Sequence, residues 1–277
     1  MARFPRSLLP TLAGLALLGA LSGTASAQSW LAPAYPGGPQ LGPEHAKGAV
    51  VWSHGRSVDS EDSEAPTPAY MALLKEDGWD TYRFNRMRDV DTLDKSAAGL
   101  ARIAERLKAE GYRQVALAGQ SFGGFLALMA ADQTDDVDDV IATAPAAYGS
   151  FSDYYGSWLN NATKLYPLLQ KVRSARVMVF YFHGDDFDPG GRGARSREIL
   201  DERHIANVIV DQPPQLTTHW AATTPLFTKR FGGCIIGFLD AHSIADDARC
   251  DDGTLWAGSV PEPAAIPLQG GARPNGD

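Results

Sequence analysis

The chain carries little positive charge and few cysteines. Of its 277 residues, 25 are Lys or Arg and 33 are Asp or Glu, which gives a formal net charge of −8. Nucleic-acid binding needs a basic surface to meet the phosphates, so this balance argues against a nucleic-acid partner. The only cysteines are Cys234 and Cys250, and they lack Cys-x-x-Cys spacing, which argues against a metal or redox site. We therefore expect neither a metal nor another cofactor.

Long apolar runs are confined to the N-terminus. Arg3 and Arg6 precede an apolar stretch at 8–21, and Ala25-Ser26-Ala27 follows it as a small-residue cleavage site. This order is typical of an export signal peptide, and the stretch is short for a membrane-spanning helix. We expect residues 1–27 to be removed and the protein to act in the periplasm or the medium, without a stable membrane anchor.

The two cysteines are predicted to pair. They lie 16 positions apart near the C-terminus, and an exported protein meets an oxidising compartment in which disulfides form and persist. A Cys234–Cys250 bond would tie the end of the chain to the last helix.

The most informative stretch spans 115–130. An apolar run of strand length leads into Gly119-x-Ser121-x-Gly123, and a run of strong helix formers follows. This is the pattern of a nucleophile elbow, in which a sharp strand-to-helix turn exposes a serine. Glycine suits both flanking positions because backbone meets backbone on each side of such a turn. Neither a P-loop Gly-Lys-Ser/Thr nor a Gly-x-Gly-x-x-Gly pattern is present, so a nucleotide-binding loop is not indicated.

Strands and helices alternate along the chain. Because the strands are apolar throughout, they predict an α/β protein with a mostly parallel sheet and helices on both faces. We expect one domain at 48–251, an extended lead-in at 28–47 and a loose tail at 252–277. The predicted strands lie near 48–53, 79–84, 115–119, 140–144, 176–182 and 207–210, and the helices near 70–76, 93–110, 122–130, 195–203 and 224–239. The Gly232-Gly233 pair could break or kink the last of these helices.

From about Gly48 to about Leu239 the sequence resembles the α/β-hydrolase family, and most of all its compact, dienelactone-hydrolase-like esterases. In that family a nucleophile, an acid and a histidine occur in this order along the chain, each on a loop that leaves the C-terminal end of a strand. Here Ser121 follows one strand, an acidic cluster follows the strand ending at Phe182, and His219 follows the strand ending at Val210. The resemblance implies Ser121 as nucleophile and His219 as its general base.

The identity of the acid stays open at this point. In the family the carboxylate often stands three residues after a glycine such as Gly184, and here that place is held by Phe187. Asp188 requires one additional residue in the turn, Asp186 one fewer and Asp185 two fewer. The sequence interpretation favours Asp188, then Asp186, then Asp185.

Two further features surround the expected site. The resemblance implies that the backbone N–H groups of Phe122 and of Arg56, which follows His54-Gly55, form the oxyanion hole. Three arginines on loops expected at the catalytic face could also clamp an acidic group of the substrate; they are Arg56, Arg86 and Arg88.

An aromatic segment lies where the family inserts its lid. It is too irregular for one amphipathic helix, and two interpretations are equally supported: a cap over the serine that forms a substrate pocket, or filling of the core beneath the insertion. Its aromatic residues are Tyr148, Phe151, Tyr154, Tyr155 and Trp158.

Taken together, the sequence predicts an exported serine hydrolase that cleaves carboxylic esters of small molecules through an acyl-enzyme. A peptidase or amidase with the same triad is the alternative among enzymes. A binding protein that kept the fold and lost turnover is the alternative from another class.

Overall fold

The structure is a computed structural model, and it describes residues 30–35, 38–56, 66–86, 91–188, 190–245, 248–251 and 253–256. Its centre is a seven-stranded sheet in the order β1-β3-β2-β4-β5-β6-β7, in which only β1 is antiparallel to its neighbour. The strands are β1 Trp30–Pro33, β2 Ala49–Ser53, β3 Asp80–Asn85, β4 Val115–Gln120, β5 Asp139–Thr143, β6 Arg176–Tyr181 and β7 Asn207–Asp211.

The helices connect these strands and cover both faces of the sheet. A 3-10 turn, Ala221–Thr223, precedes the last of them. The helices are α1 Tyr70–Glu76, α2 Leu93–Ala109, α3 Phe122–Gln133, α4 Tyr155–Leu169, α5 Arg192–Glu202 and α6 Pro225–Asp240.

Burial on both faces explains the parallel sheet. Every residue of β2, β4 and β5 is buried, as is typical of strands covered by helices on each side. Side chains of α2, α3, α4 and α5 fill the core on one face, and those of α1 and α6 fill the core on the other. The predicted α/β class, with a mostly parallel sheet and helices on both faces, is confirmed.

Two helices differ from the sequence expectation. The aromatic segment contains a regular helix, α4, because its second half places Ala162, Leu165 and Leu169 against the core while its first turn stays outside. The Gly232-Gly233 pair was expected to break or kink the last helix, yet α6 is continuous. A Cβ on Gly232 would stand 2.5 Å from the Leu73 side chain, so this glycine serves close packing rather than a break.

The C-terminal region folds back on α6. Strands β8 Arg249–Asp251 and β9 Thr254–Trp256 form a hairpin. Residues 254–256, which belong to the segment expected to be loose, are therefore paired with 249–251. The predicted disulfide is present, and it joins Cys234 on α6 to Cys250 on β8. Within the described ranges, no helix has the length and apolar character needed to span a bilayer. The predicted signal peptide at 1–27 lies outside the described residues.

Removing this disulfide should lower stability without abolishing the fold. It closes a loop of 16 residues, for which chain entropy in the unfolded state predicts a loss of about 3 kcal/mol. We expect a Cys234→Ser/Cys250→Ser variant to unfold at a lower urea concentration with unchanged secondary structure. Wild type treated with reductant is the matched control and should show the same shift; equal midpoints with and without the bond would contradict the prediction.

Candidate active site

Ser121 occupies the sharp turn between β4 and α3. Its backbone has φ 54° and ψ −119°, a conformation that non-glycine residues rarely adopt. The turn is held from both sides, because the Ser121 N–H donates to the carbonyl of Thr143 at 2.9 Å and the Ser121 carbonyl accepts from the N–H groups of Phe125 and Ala146. Strained conformations of this kind persist only where the surroundings fix them, and they cluster at functional sites.

The two glycines of the motif are required by close backbone approach. A Cβ on Gly119 would stand 2.2 Å from the backbone of Gly123, and a Cβ on Gly123 would stand 2.0 Å from the carbonyl oxygen of Ser53. Any side chain at either position would push α3 away from the sheet. The elbow is therefore packed between the ends of β2 and β4, as its sequence pattern predicts.

His219 is paired with Asp185, not with Asp188, the residue that the sequence interpretation favoured. Nδ1 of His219 lies 2.9 and 3.0 Å from the two carboxylate oxygens of Asp185, and both side chains are buried. The carboxylate also accepts the backbone N–H of Phe187 at 2.8 Å. Because the carboxylate accepts a hydrogen bond from the Nδ1–H group, it sets the tautomer in which Nε2 of His219 is unprotonated.

The two other carboxylates have different partners. Asp188 forms a buried ion pair with Arg192 at 2.7 Å, and Asp186 is exposed and accepts the backbone N–H of Ser152 at 3.3 Å. The physical reason is the turn that follows β6: Gly184 adopts a positive φ of 66° and the Asp188 N–H bonds back to the Asp185 carbonyl. The first carboxylate after the glycine consequently faces His219, while Asp188 faces α5.

The imidazole of His219 is fixed on every side except at Nε2. Gln120, the residue before the serine, donates its side-chain amide to the carbonyl of His219 at 3.2 Å. The ring of Phe187 lies against the imidazole with centroids 4.2 Å apart, and the ring of Trp220 lies 5.4 Å away. Nε2 is buried and has no hydrogen-bond partner among the residues that the structure describes. No other described group therefore occupies Nε2, and in this structure no hydrogen bond joins it to Oγ of Ser121.

The two predicted oxyanion donors lie on adjacent elements. Phe122 is the first residue of α3, so its N–H has no acceptor within the helix. The loop after β2 packs against the elbow: a Cβ on Gly55 would stand 3.4 Å from Cβ of Ser121. Arg56, the next residue, is exposed and its guanidinium lies over the Phe122 ring at 5.3 Å. Their roles as donors stay predictions.

Arg86 does not form the predicted clamp for an acidic substrate. Its side chain is completely buried and ion-paired with Asp91 at 3.0 Å, so it cannot meet a substrate arriving from solvent. Arg88, the third arginine of the clamp, lies outside the described residues.

Most of the aromatic segment faces outward. Phe151, Tyr154 and Tyr155 are more than half exposed, and the rings of Phe151, Tyr155 and Trp158 contact one another at centroid distances of 5.2–6.2 Å. Tyr148 is half-buried and packs edge-on against Phe125 in the core. The exposed rings therefore do not fill the core, whereas Tyr148 contributes to it.

This aromatic segment is joined to the loop that carries the acid. The Phe151 N–H donates to the carbonyl of Asp186 at 2.8 Å, one residue after Asp185. Asn161 of α4 donates to the carbonyl of Phe187 at 3.1 Å, the residue that lies against the imidazole. The aromatic segment is thus attached to the loop that carries Asp185 and Phe187.

The chain is similar in structure to several solved proteins. The chain is similar to a Paleococcus ferrophilus monoacylglycerol lipase at 17% identity and a TM-score of 0.58, covering 78% of this chain and 100% of the lipase. It is similar to a Pyrococcus furiosus esterase at 16% and 0.53, covering 70% and 81%. It is also similar to an acylaminoacyl peptidase in complex with Z-Gly-Gly-Phe-chloromethyl ketone at 16% and 0.56, covering 77% of this chain but only 39% of the peptidase.

The protein has the α/β-hydrolase fold. No protein-family model matches the sequence, and no curated protein matches it. At such low identities the likeness concerns the fold alone, and the activity has to be argued from the site.

Within this α/β-hydrolase fold, the sequence patterns indicated the residues that form the candidate site but missed those that hold them in place. The spacing of Asp188 and Arg192, four positions apart, was a usable signal for an ion pair at the start of a helix. No local signal pointed to Gln120, whose partner His219 is distant in sequence, or to the contacts of Arg86 with the carbonyls of His54 and Gly55, which are likewise distant. Among the described residues, no group of three or more His, Cys, Asp or Glu is arranged to hold a metal ion.

His54 is expected to make stability pH-dependent. Burial, with a smaller contribution from the nearby Arg86 guanidinium, lowers the pKa of His54 to about 4 from 6.5. Between pH 6.5 and 4 the unfolded chain binds a proton that the folded protein does not, so stability is full above pH 6.5 and falls as the pH drops through this window. The shift corresponds to at most about 3 kcal/mol.

The measurement is urea unfolding at a series of pH values from 7.5 to 4 for wild type and a His54→Asn variant. Carboxylates titrate in both proteins, so the difference between the two curves isolates His54. We expect the wild type to lose more stability than the variant over this window; parallel curves would contradict the assigned pKa.

Proposed function

We propose that the protein is a serine hydrolase that cleaves carboxylic esters through an acyl-enzyme, with Ser121 as nucleophile, His219 as general base and Asp185 as the acid. The observation that carries this proposal is the buried Asp185–His219 pair. Gln120, the residue before Ser121, holds the His219 backbone carbonyl, and Nε2 of His219 has no hydrogen-bond partner in the part of the chain that the structure describes. A serine hydroxyl becomes a competent nucleophile only when a neighbouring imidazole accepts its proton.

The proposed steps use Ser121, His219, Asp185 and the two predicted oxyanion donors. Oγ of Ser121 attacks the ester carbonyl while its proton passes to Nε2 of His219, and the N–H groups of Phe122 and Arg56 stabilise the oxyanion. Asp185 stabilises the imidazolium, which then protonates the departing alcohol. Water, deprotonated by His219, attacks the acyl-enzyme in the same way and releases the carboxylic acid and free Ser121.

The surroundings of the site favour a neutral ester with an apolar acyl group. The exposed rings of Phe151, Tyr155 and Trp158 belong to a segment attached to the loop that carries Asp185, and they offer an apolar surface. Exposed apolar clusters commonly mark binding sites. Because Arg86 is buried in an ion pair with Asp91, it does not favour binding of a negatively charged substrate. We propose Tyr148, Phe151, Tyr154, Tyr155 and Trp158 as the wall of this acyl site.

Peptide cleavage is the second candidate, because the acylaminoacyl peptidase shares the fold. We prefer esters because the exposed rings of Phe151, Tyr155 and Trp158 offer an apolar surface for an acyl group. We further propose that the protein is exported, which the Cys234–Cys250 bond supports.

The test is reaction of purified wild type with a fluorophosphonate probe, followed by p-nitrophenyl esters of graded acyl length and matched p-nitroanilides. We expect stoichiometric labelling, a burst of p-nitrophenol, and ester rates far above anilide rates. Equal or higher rates on anilides would favour the peptidase. A folded wild type that neither labels nor turns over would favour the non-catalytic alternative.

A further inference from the structure

Arg86 lies directly behind the loop that the proposed function uses for its oxyanion hole. It follows β3, is completely buried, and pairs through Nε with Asp91, which is also completely buried. The other oxygen of Asp91 accepts the Ser96 hydroxyl of α2 at 2.7 Å. The pair is thus fixed to a helix on one side.

Two further donors of Arg86 face the loop after β2. Nη1 donates to the carbonyl of His54 at 2.8 Å and Nη2 donates to the carbonyl of Gly55 at 2.9 Å. A planar guanidinium presents its donors as a rigid fork, so it fixes the orientation of both peptide planes together. In a trans peptide the N–H points opposite to the carbonyl, and the N–H that belongs to the Gly55 carbonyl is that of Arg56.

The same guanidinium also contacts the other oxyanion residue. Its Cζ lies 5.2 Å from the centre of the Phe122 ring, on the residue directly after Ser121. A single buried cation therefore contacts the residue or peptide of each predicted oxyanion donor. A buried ion pair is a weak source of stability, because desolvation offsets most of the attraction, so its geometry suggests a use beyond stability.

We propose that Arg86 is the positioning residue of the oxyanion hole: by binding the carbonyls of His54 and Gly55 and packing on Phe122, it aims the Arg56 N–H at the elbow. This inference rests on the proposed serine hydrolase. Arg86 acts through Arg56 and Phe122 and does not itself touch the substrate.

The kinetic test compares Arg86→Ala and Arg86→Lys with wild type on a neutral p-nitrophenyl ester. Loss of one oxyanion donor costs roughly 10²–10³-fold in kcat, so we expect about that loss in Arg86→Ala with KM changed less than about threefold. Lysine cannot reproduce the fork and should restore only part of the rate.

The matched control is Arg176→Ala, which removes the ion pair between the partly buried Arg176 and the buried Asp139 at the opposite end of the sheet. It should lower stability while leaving kcat unchanged. A folded Arg86→Ala or Arg86→Lys enzyme with wild-type kcat would overturn the inference, as would an equal loss in Arg176→Ala.

A measurement on wild type covers variants that do not fold. In ¹⁵N-labelled protein, phosphonylation of Ser121 places an oxygen where the oxyanion forms, and we expect the amide resonances of both Phe122 and Arg56 to shift downfield. An unmoved Arg56 amide in labelled wild type would overturn the inference while leaving the serine hydrolase intact. A wild type that does not react with the probe would overturn both.

Discussion

A Ser121→Ala variant is expected to lose fluorophosphonate labelling completely and to hydrolyse p-nitrophenyl esters roughly 10⁶-fold more slowly than wild type, the scale found when a triad nucleophile is removed. The proposed acyl-enzyme can form only on Oγ, and no other group at the elbow replaces it. Stability should change little, because alanine and serine are similarly strained at the φ of 54° that this position requires.

His219→Ala provides the companion measurement. Nucleophile and base act as one unit, so the double variant Ser121→Ala/His219→Ala should be no slower than either single variant. Additive losses in the double variant would mean that the two residues do not act together, which would contradict the proposed triad.

An Asp185→Asn variant is expected to lose about 10⁴-fold in kcat, because an amide at this position no longer fixes the imidazole tautomer or stabilises its charged form. The measurement is the steady-state rate on a neutral p-nitrophenyl ester, with circular dichroism to show that the protein is folded. KM should change little, since Asp185 lies behind His219 and not against the substrate.

The two neighbouring carboxylates are the natural controls. Asp186→Asn, on the exposed side of the same turn, should retain kcat within about twofold, as expected for a surface substitution away from the chemistry. Asp188→Asn should instead lower stability by about 3–5 kcal/mol, because it leaves Arg192 buried without its charged partner. A large loss of kcat in folded Asp188→Asn together with an active Asp185→Asn would show that the acid is Asp188 after all.

Buried arginines hold the loops on both sides of the candidate site. Arg86 binds the loop after β2, and Arg192 binds Asp188 and the carbonyl of Pro145 after β5. Loops at the carboxyl ends of parallel strands carry the functional groups of this fold, yet loops are the parts of a domain with the fewest fixed contacts. Each arginine binds two oxygens of these loops: Arg86 binds two carbonyls, and Arg192 binds one carboxylate and one carbonyl.

The sequence by itself determined the six parallel strands of the sheet and the elbow, but not the antiparallel edge strand β1. These features depend on local patterns: apolar runs at β2, β4 and β5 can be buried only between two helical layers, and Gly119 and Gly123 are required wherever backbones approach so closely. The same local character explains why the start of α4 was misread, since its exposed aromatic turn hides the core-facing spacing of the second half.

Only the tertiary structure decided which acid faces His219 and what Arg86 does. Asp185, Asp186 and Asp188 are identical residues within four positions, so the sequence hardly distinguishes them. Their orientations depend on the positive φ of Gly184 and on the ion pair that Arg192 forms with Asp188. Arg86 reads as an exposed loop residue until the ends of β2 and β3 are brought side by side, which places two carbonyls within reach of its guanidinium. A charge is stable in the interior only when its partners are assembled around it, and those partners come from distant parts of the chain.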